Sequence, residues 1–229
     1  SLWSTLADIC ATIGYSQHAL GDVSAAIASH QQGFVAARKA QREDLAGEHA
    51  AMLAFLFGSE LEHVEAADIW LTHAKVAQSL GAMGDVPART MFADAMIAQA
   101  RGELDSAENL LESALELRRA RPTSDPNGEI SILVARGNLE VRRGRNDAAV
   151  PFYATAIQLA ESKFGETHPT VAVLLNNYGL VLYGGGNFPA AVEALERALS
   201  IDAQRLGDDS IEYAESTVNL ALVLQDNGE

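Results

Sequence analysis

The sequence is short of cationic charge, of cysteine and of long hydrophobic runs, and each shortage removes a class of function. Sixteen Lys and Arg stand against 31 Asp and Glu, a formal net charge of −15. That balance argues against nucleic acid as the main partner, because phosphate binding needs a basic face. Cys10 is the only cysteine, so no internal disulfide forms and nothing calls for an oxidising compartment. The longest apolar stretch, Ala50 to Gly58, is too short to cross a bilayer, and Ser1 to Trp3 carries no charged signal-peptide start. What the chain does have is core material: 48% of its 229 residues are apolar and 21% charged, which excludes disorder by composition. The expectation is a soluble, acidic, cytoplasmic protein without a membrane or nucleic-acid partner.

The residues that are present follow an internal period, which fixes the fold more firmly than any single motif. Gly137, Gly144, Ala149 and Ala156 lie 42 residues before Gly179, Gly186, Ala191 and Ala198, and Ala95, Gly102, Ala107 and Ala114 lie 42 before the first set. Gly14, Gly21, Ala26 and Gly33 open the series, Ala67 and Ala74 mark a degenerate copy, and Ala221 begins a sixth. The repeats run over about 1–41, 42–82, 83–123, 124–165, 166–207 and, in part, 208–229. Within one copy Val171, Leu174, Leu175, Tyr178 and Leu182 form an apolar stripe of helical spacing, and Phe188, Ala191, Val192, Leu195 and Ala198 form a second. Gly184, Gly185 and Gly186 supply the turn between them, and Pro189 falls in the first turn of the next helix, where a missing N–H is harmless. Each copy is therefore two helices whose recurring small residues permit close approach. In the second copy Phe55 falls at the small-residue position and Gly58 inside the first helix, so its packing is expected to be irregular.

This phrase resembles the tetratricopeptide repeat, in the long variant of kinesin light chains. The stretch Phe164-Gly165-Glu166-Thr167-His168-Pro169-Thr170-Val171-Ala172 looks like that family's inter-repeat loop, as does Leu206-Gly207-Asp208-Asp209-Ser210-Ile211-Glu212-Tyr213-Ala214. Leu175-Asn176-Asn177-Tyr178-Gly179 and Val218-Asn219-Leu220-Ala221 match its first-helix pattern. The resemblance implies an all-α, right-handed α-solenoid of helix-turn-helix repeats, five pairs plus the first helix of a sixth, forming one domain. It also implies a concave groove, lined by the first helices, that holds a protein or peptide. Neither end reads as a cap, so the expectation is a piece of a larger bacterial multidomain protein. A serine/threonine kinase with a repeat tail is the first expectation, followed by repeats attached to proteases or transcription regulators.

No cluster reads as catalytic. Six His residues (18, 30, 49, 63, 73 and 168) show no His-Glu-x-x-His spacing. Cys10 falls at a core position by phase, His168 belongs to the loop phrase, and Gly184 to Gly186 follow a helix with no Gly-Lys-Ser/Thr after them. No cofactor or metal is expected, and the chemistry is that of a surface. Groove candidates in repeats four to six are polar: Asn138, Arg142, Asn177, Tyr183, Asn219 and Gln225. Asn amides both donate and accept, which suits a peptide backbone, but they could equally bond between neighbouring repeats. In repeats two and three the face is apolar, with Met52, Leu53, Leu56, Phe92 and Met96. Exposed together they form an interaction patch; tilted inward they are core. A carboxylate-clamp groove is discounted, since Val134, Val173 and Glu215 stand where cations would be needed. Seven Arg (118, 119, 121, 136, 142, 143 and 145) face only Asp125, Glu129 and Glu140 over 118–145. This Arg-rich collar either binds an acidic segment or pairs within the chain. The second functional class is a scaffold that self-associates through uncapped ends.

Overall fold

The computed structural model describes residues 1–120, 126–205 and 211–227, and the sequence period emerges there as helix pairs. Arg121, Asp125, the paired carboxylates Asp208 and Asp209 with the rest of 206–210, and Gly228 with Glu229 lie outside the described residues. The chain forms two compact units, Ser1–Ser124 and Asp125–Glu229. In the first, α1 (Leu2–Ala19), α2 (Val23–Lys39), α3 (Glu43–Phe55), α4 (Val64–Ser79), α5 (Val86–Ala100) and α6 (Leu104–Arg119) follow one another. In the second come α7 (Pro126–Arg142), α8 (Asn146–Phe164), α9 (Pro169–Gly184), α10 (Phe188–Arg205) and α11 (Ile211–Asn227). Within each unit a helix packs on its sequence neighbours, and α3 also packs on α5, so first helices lie side by side. All the described regular structure is helical, and each unit is a stack of helix pairs.

The small residues hold the pairs together by leaving room. A Cβ on Gly137 would stand 2.6 Å from the Tyr153 ring, and one on Gly179 would stand 2.7 Å from Leu195 Cγ. In both cases the filler lies 16 residues on, in the second helix. The pair turn obeys a second rule. Gly21, Gly102, Gly144 and Gly186 all sit at positive φ, between 73° and 79°, where glycine carries no steric penalty. The second repeat places Glu62 there, at φ 53°.

The irregular second repeat has a structural cause. Leu56–Glu60 form a π-helical turn continuing α3, and such a turn absorbs one extra residue. From Gly14 to Ala26 is 12 residues, as from Gly137 to Ala149 and Gly179 to Ala191, whereas Ala54 to Ala67 is 13. Ala54 therefore takes the small-residue position assigned above to Phe55, and it packs in one core cluster with Ala67, Leu71, Ala93 and Ile97. Phe55 is released from the core layer. Leu53 and Leu56, both expected on the groove face, are instead fully buried, because the phase of α3 is set by Ala54 and not by Phe55. Cys10 is buried as its phase predicts, and burial pushes its thiol pKa up. His168 caps α9, its Nδ1 accepting from the Thr170 N–H at 3.2 Å.

Candidate partner-binding face

In the first unit the side-by-side helices α1, α3 and α5 carry two transverse rows of side chains. The Tyr15 hydroxyl donates to Glu48 Oε1 at 2.9 Å and accepts from Arg89 Nη1 at 2.9 Å, linking all three helices. The Arg89 guanidinium also lies 5.2 Å from the centre of the Tyr15 ring. Beside this polar row runs an aromatic one. His18 meets Phe55 edge-on at 5.7 Å, and Phe55 stacks on Phe92 at 5.6 Å and 27°. His18 Nε2 is 3.6 Å from Glu60 Oε1. Met52, Phe55, Phe92 and Met96 are half-buried, whereas Leu53, Leu56 and Ile97 on the same helices are fully buried. The phase thus divides the apolar residues of α3 and α5 between a closed core and a face that water still reaches.

In the second unit the polar candidates divide differently. Asn219 Nδ2 donates to Asn176 Oδ1 at 3.0 Å, so this amide bonds α11 to α9. The Tyr183 hydroxyl donates to Asp226, a second bond between the same two helices, and it holds the Tyr183 pKa above its ordinary value. Asn138 accepts from the Tyr153 hydroxyl. Asn177 is half-buried and has no side-chain hydrogen bond among the described residues, and Arg142 and Gln225 are exposed and likewise unpartnered there. Of the two roles open to the asparagines, Asn219 performs the inter-repeat one, while Asn177 keeps its amide available.

The Arg-rich segment is largely paired within each unit. Arg118, with a side chain 4% exposed, bonds Asp85 at 3.0 Å. Arg143 and Arg145 converge on the buried Glu140 at 3.4 and 2.7 Å, and Arg136 lies over the Phe152 ring at 4.6 Å. Among the described residues no group of three His, Cys, Asp or Glu is placed to hold a metal, and no helix is long and apolar enough to cross a membrane.

Sequence reasoning passed over one constellation. His30 on α2 and His49 on α3 are both fully buried, with their Nδ1 atoms 3.0 Å apart, and His49 Nε2 lies 3.2 Å from the Ala7 carbonyl. His30 stands 16 residues after Gly14, the spacing that brings Leu195 to Gly179. That spacing was the available signal for a histidine in a leucine position. Tyr15, Glu48 and Arg89 were missed for another reason: their meeting depends on the lateral packing of three helices.

Paired helices stacked with small residues at their crossings, and a half-exposed face along the first helices, define a helical-repeat protein. Residues 128–204 and 95–120 match family models described as tetratricopeptide repeat, and the chain carries a tetratricopeptide repeat domain. Two curated relatives, the clustered mitochondria protein homologs of Xenopus tropicalis and Homo sapiens, are 38% and 36% identical over 66 residues. Those matches span 29% of this chain and 5% of the relatives' own length. Among solved structures, BtubC (BKLC) from P. vanneervenii superposes with a TM-score of 0.72 at 22% identity, covering 88% of this chain and 83% of that one. A putative kinesin light chain with nearly identical TPR-like repeats from P. anserina gives 0.64 at 19%, over 79% and 86%. The signal transduction ATPase with a tetratricopeptide repeat sensor from Pyrococcus horikoshii gives 0.63 at 17%, over 96% of this chain and 39% of that one. At these identities the likeness is one of fold.

Proposed function

We propose that the chain is a non-catalytic protein-interaction module that holds a peptide or partner segment along its first helices. The observation that carries this reading is the division on α3 and α5. Met52, Phe55, Phe92 and Met96 stay partly accessible while their helix neighbours are sealed, and adaptable Met beside aromatic rings is a composition favoured at binding surfaces. In the second unit Asn177, Arg142 and Gln225 add free polar groups to the reading. The wider role is a regulatory or sensor region of a larger bacterial, cytoplasmic protein such as a serine/threonine kinase. The repeat sensor of the Pyrococcus ATPase supports the sensor part of that role by likeness of fold.

The test begins with affinity capture to identify a partner, followed by calorimetric titration of that partner. The Phe92→Ala/Met96→Ala variant is expected to bind at least about tenfold more weakly, the scale of a lost interface anchor, with an unchanged helical CD spectrum. Equal affinity overturns the reading. One observation favours the self-associating scaffold: Leu2, Leu6, Ile9 and Ile13 form an exposed stripe along α1. Light scattering at micromolar concentration decides that reading. A scaffold associates and Ile9→Glu dissolves it, whereas a receptor stays monomeric.

A further inference from the structure

The buried histidine pair stands in a core layer that the other repeats fill mainly with hydrocarbon. Counted by the repeat, His30 occupies the position of Leu71, Leu111, Tyr153 and Leu195, all buried. Allowing for the residue absorbed by the π turn, His49 occupies the position of Thr90, Ile132 and Leu174, also buried. The two rings join three helices: Ala7 on α1, His30 on α2 and His49 on α3. They are tightly housed. A Cβ on Gly14 would lie 2.5 Å from His30 Nε2, and one on Gly33 would lie 2.1 Å from His49 Cε1.

The chain of bonds fixes the protons. The Ala7 carbonyl only accepts, so His49 Nε2 carries hydrogen and His49 Nδ1 is bare. His49 Nδ1 then accepts from His30 Nδ1–H, which leaves His30 Nε2 bare, buried and without a hydrogen-bond partner among the described residues. A further proton can enter only at that atom, where no acceptor waits, or by breaking the chain. The titratable and charged groups around the pair are His18 on α1 and Arg89 on α5, which oppose charge on His30, and Asp8 on α1 and Glu48 on α3, which favour it on His49. The Tyr15 ring meets His30 edge-on at 5.1 Å, and its hydroxyl belongs to the polar row on the binding face.

We infer that the His30–His49 pair is an acid-sensitive joint: protonation releases α1 and α2 from α3 and dismantles the Tyr15–Glu48–Arg89 row of the face. Burial is the main cause holding the His30 pKa down to about 3, with His49, Arg89 and His18 adding to it, and burial lowers His49 as well. The opened joint has ordinary imidazoles near pH 6.5 and binds protons that the closed joint refuses. Acid therefore favours opening by linkage, by about tenfold in population per pH unit below ~6.5 for one proton and about a hundredfold for two. Coupling to partner binding rests on the reading above; the opening of the joint does not.

The test needs no partner, so its outcome is independent of the binding reading. Long-range ¹H–¹⁵N NMR of the whole chain at pH 7 should show His49 as the Nε2–H tautomer and His30 as the Nδ1–H tautomer, both neutral. An imidazolium forming at either ring with a midpoint near 6.5 in the closed protein overturns the inference. Amide exchange corrected for intrinsic rate should show protection of α1 and α2 falling about tenfold or more per pH unit below ~6.5, while α9 and α10 hold theirs. The His30→Leu/His49→Leu variant installs the residues found at Leu195 and Leu174 and should remove that slope. A slope that survives in the variant, or that is equal in both units, also overturns the joint.

Discussion

At the scale of single residues, the repeats differ in what fills the space left by the first-helix glycine. Gly14 receives an imidazole, Gly137 a phenol ring and Gly179 an isobutyl group. The phenol carries a consequence for pH. Tyr153 is 2% exposed, its hydroxyl donates to Asn138, and burial pushes its pKa up to about 12. Folding thus disfavours the phenolate. The contribution is whole below pH 10, the ordinary tyrosine value, and is lost as pH rises from 10 to 12, by up to about 1.4 kcal/mol per unit. Urea melts of the wild-type chain and of Tyr153→Phe between pH 8 and 11 check this. The wild type should lose stability more steeply than the variant above pH 10, and parallel curves would sink the assignment. Tyr153→Phe should also be less stable at pH 8, by about 0.5–1.5 kcal/mol for the bond lost to Asn138.

At the scale of elements, the period makes helix pairs, turns and most of the core legible, because each small residue confirms the phase of the others. It fails at α3 for a definite reason. Counting back from Ala67 at the usual 12 residues lands on Phe55, and nothing in the composition says that one extra residue lies between them. The π turn at Leu56–Glu60 is a backbone solution to a length mismatch. That is why Leu56 was placed on the face and proves to be core, while Phe55 joins His18 and Phe92 on the face. The lateral rows were illegible for a different reason, since Tyr15, Glu48 and Arg89 lie on three separate first helices. The turn after the π segment supports a prediction. Glu62 holds at φ 53° the conformation that Gly21, Gly102, Gly144 and Gly186 adopt in the other repeats. A left-handed conformation costs a side-chain-bearing residue about 1–2 kcal/mol, partly offset in glycine by its freer unfolded chain. Glu62→Gly should therefore stabilise the protein by about 0.5–1 kcal/mol, read as a raised urea midpoint at unchanged slope. A lowered midpoint would show that the Glu62 side chain makes an interaction worth more than the backbone strain.

At the scale of the whole molecule, the charge of −15 is a matter of which charges are already matched. Cations are scarce, and many are engaged within the chain: Arg38 with Glu43, Arg42 with Asp44, Lys75 with Asp94, Arg101 with Asp68, Arg118 with Asp85 and Arg197 with Glu161. Each such pair cancels one acid, and the acids in excess set the long-range field. The solvent-exposed ones among these pairs contribute little to stability, but a surplus of one sign steers encounter with the opposite sign across about a Debye length. If the face holds a peptide as proposed, it should therefore favour a basic segment with an apolar anchor over an acidic one, even though the sequence contains an Arg-rich stretch. Two fluorescent nine-residue peptides test this, both with a central Phe, one flanked by Lys and the other by Glu. The Lys peptide should bind more tightly at 50 mM salt, lose much of its association rate at 500 mM, and weaken further on Phe92→Ala/Met96→Ala. Preference for the Glu peptide would return the binding role to Arg142 and its neighbours. A Lys peptide indifferent to the double variant would mean that the field attracts it without the face holding it.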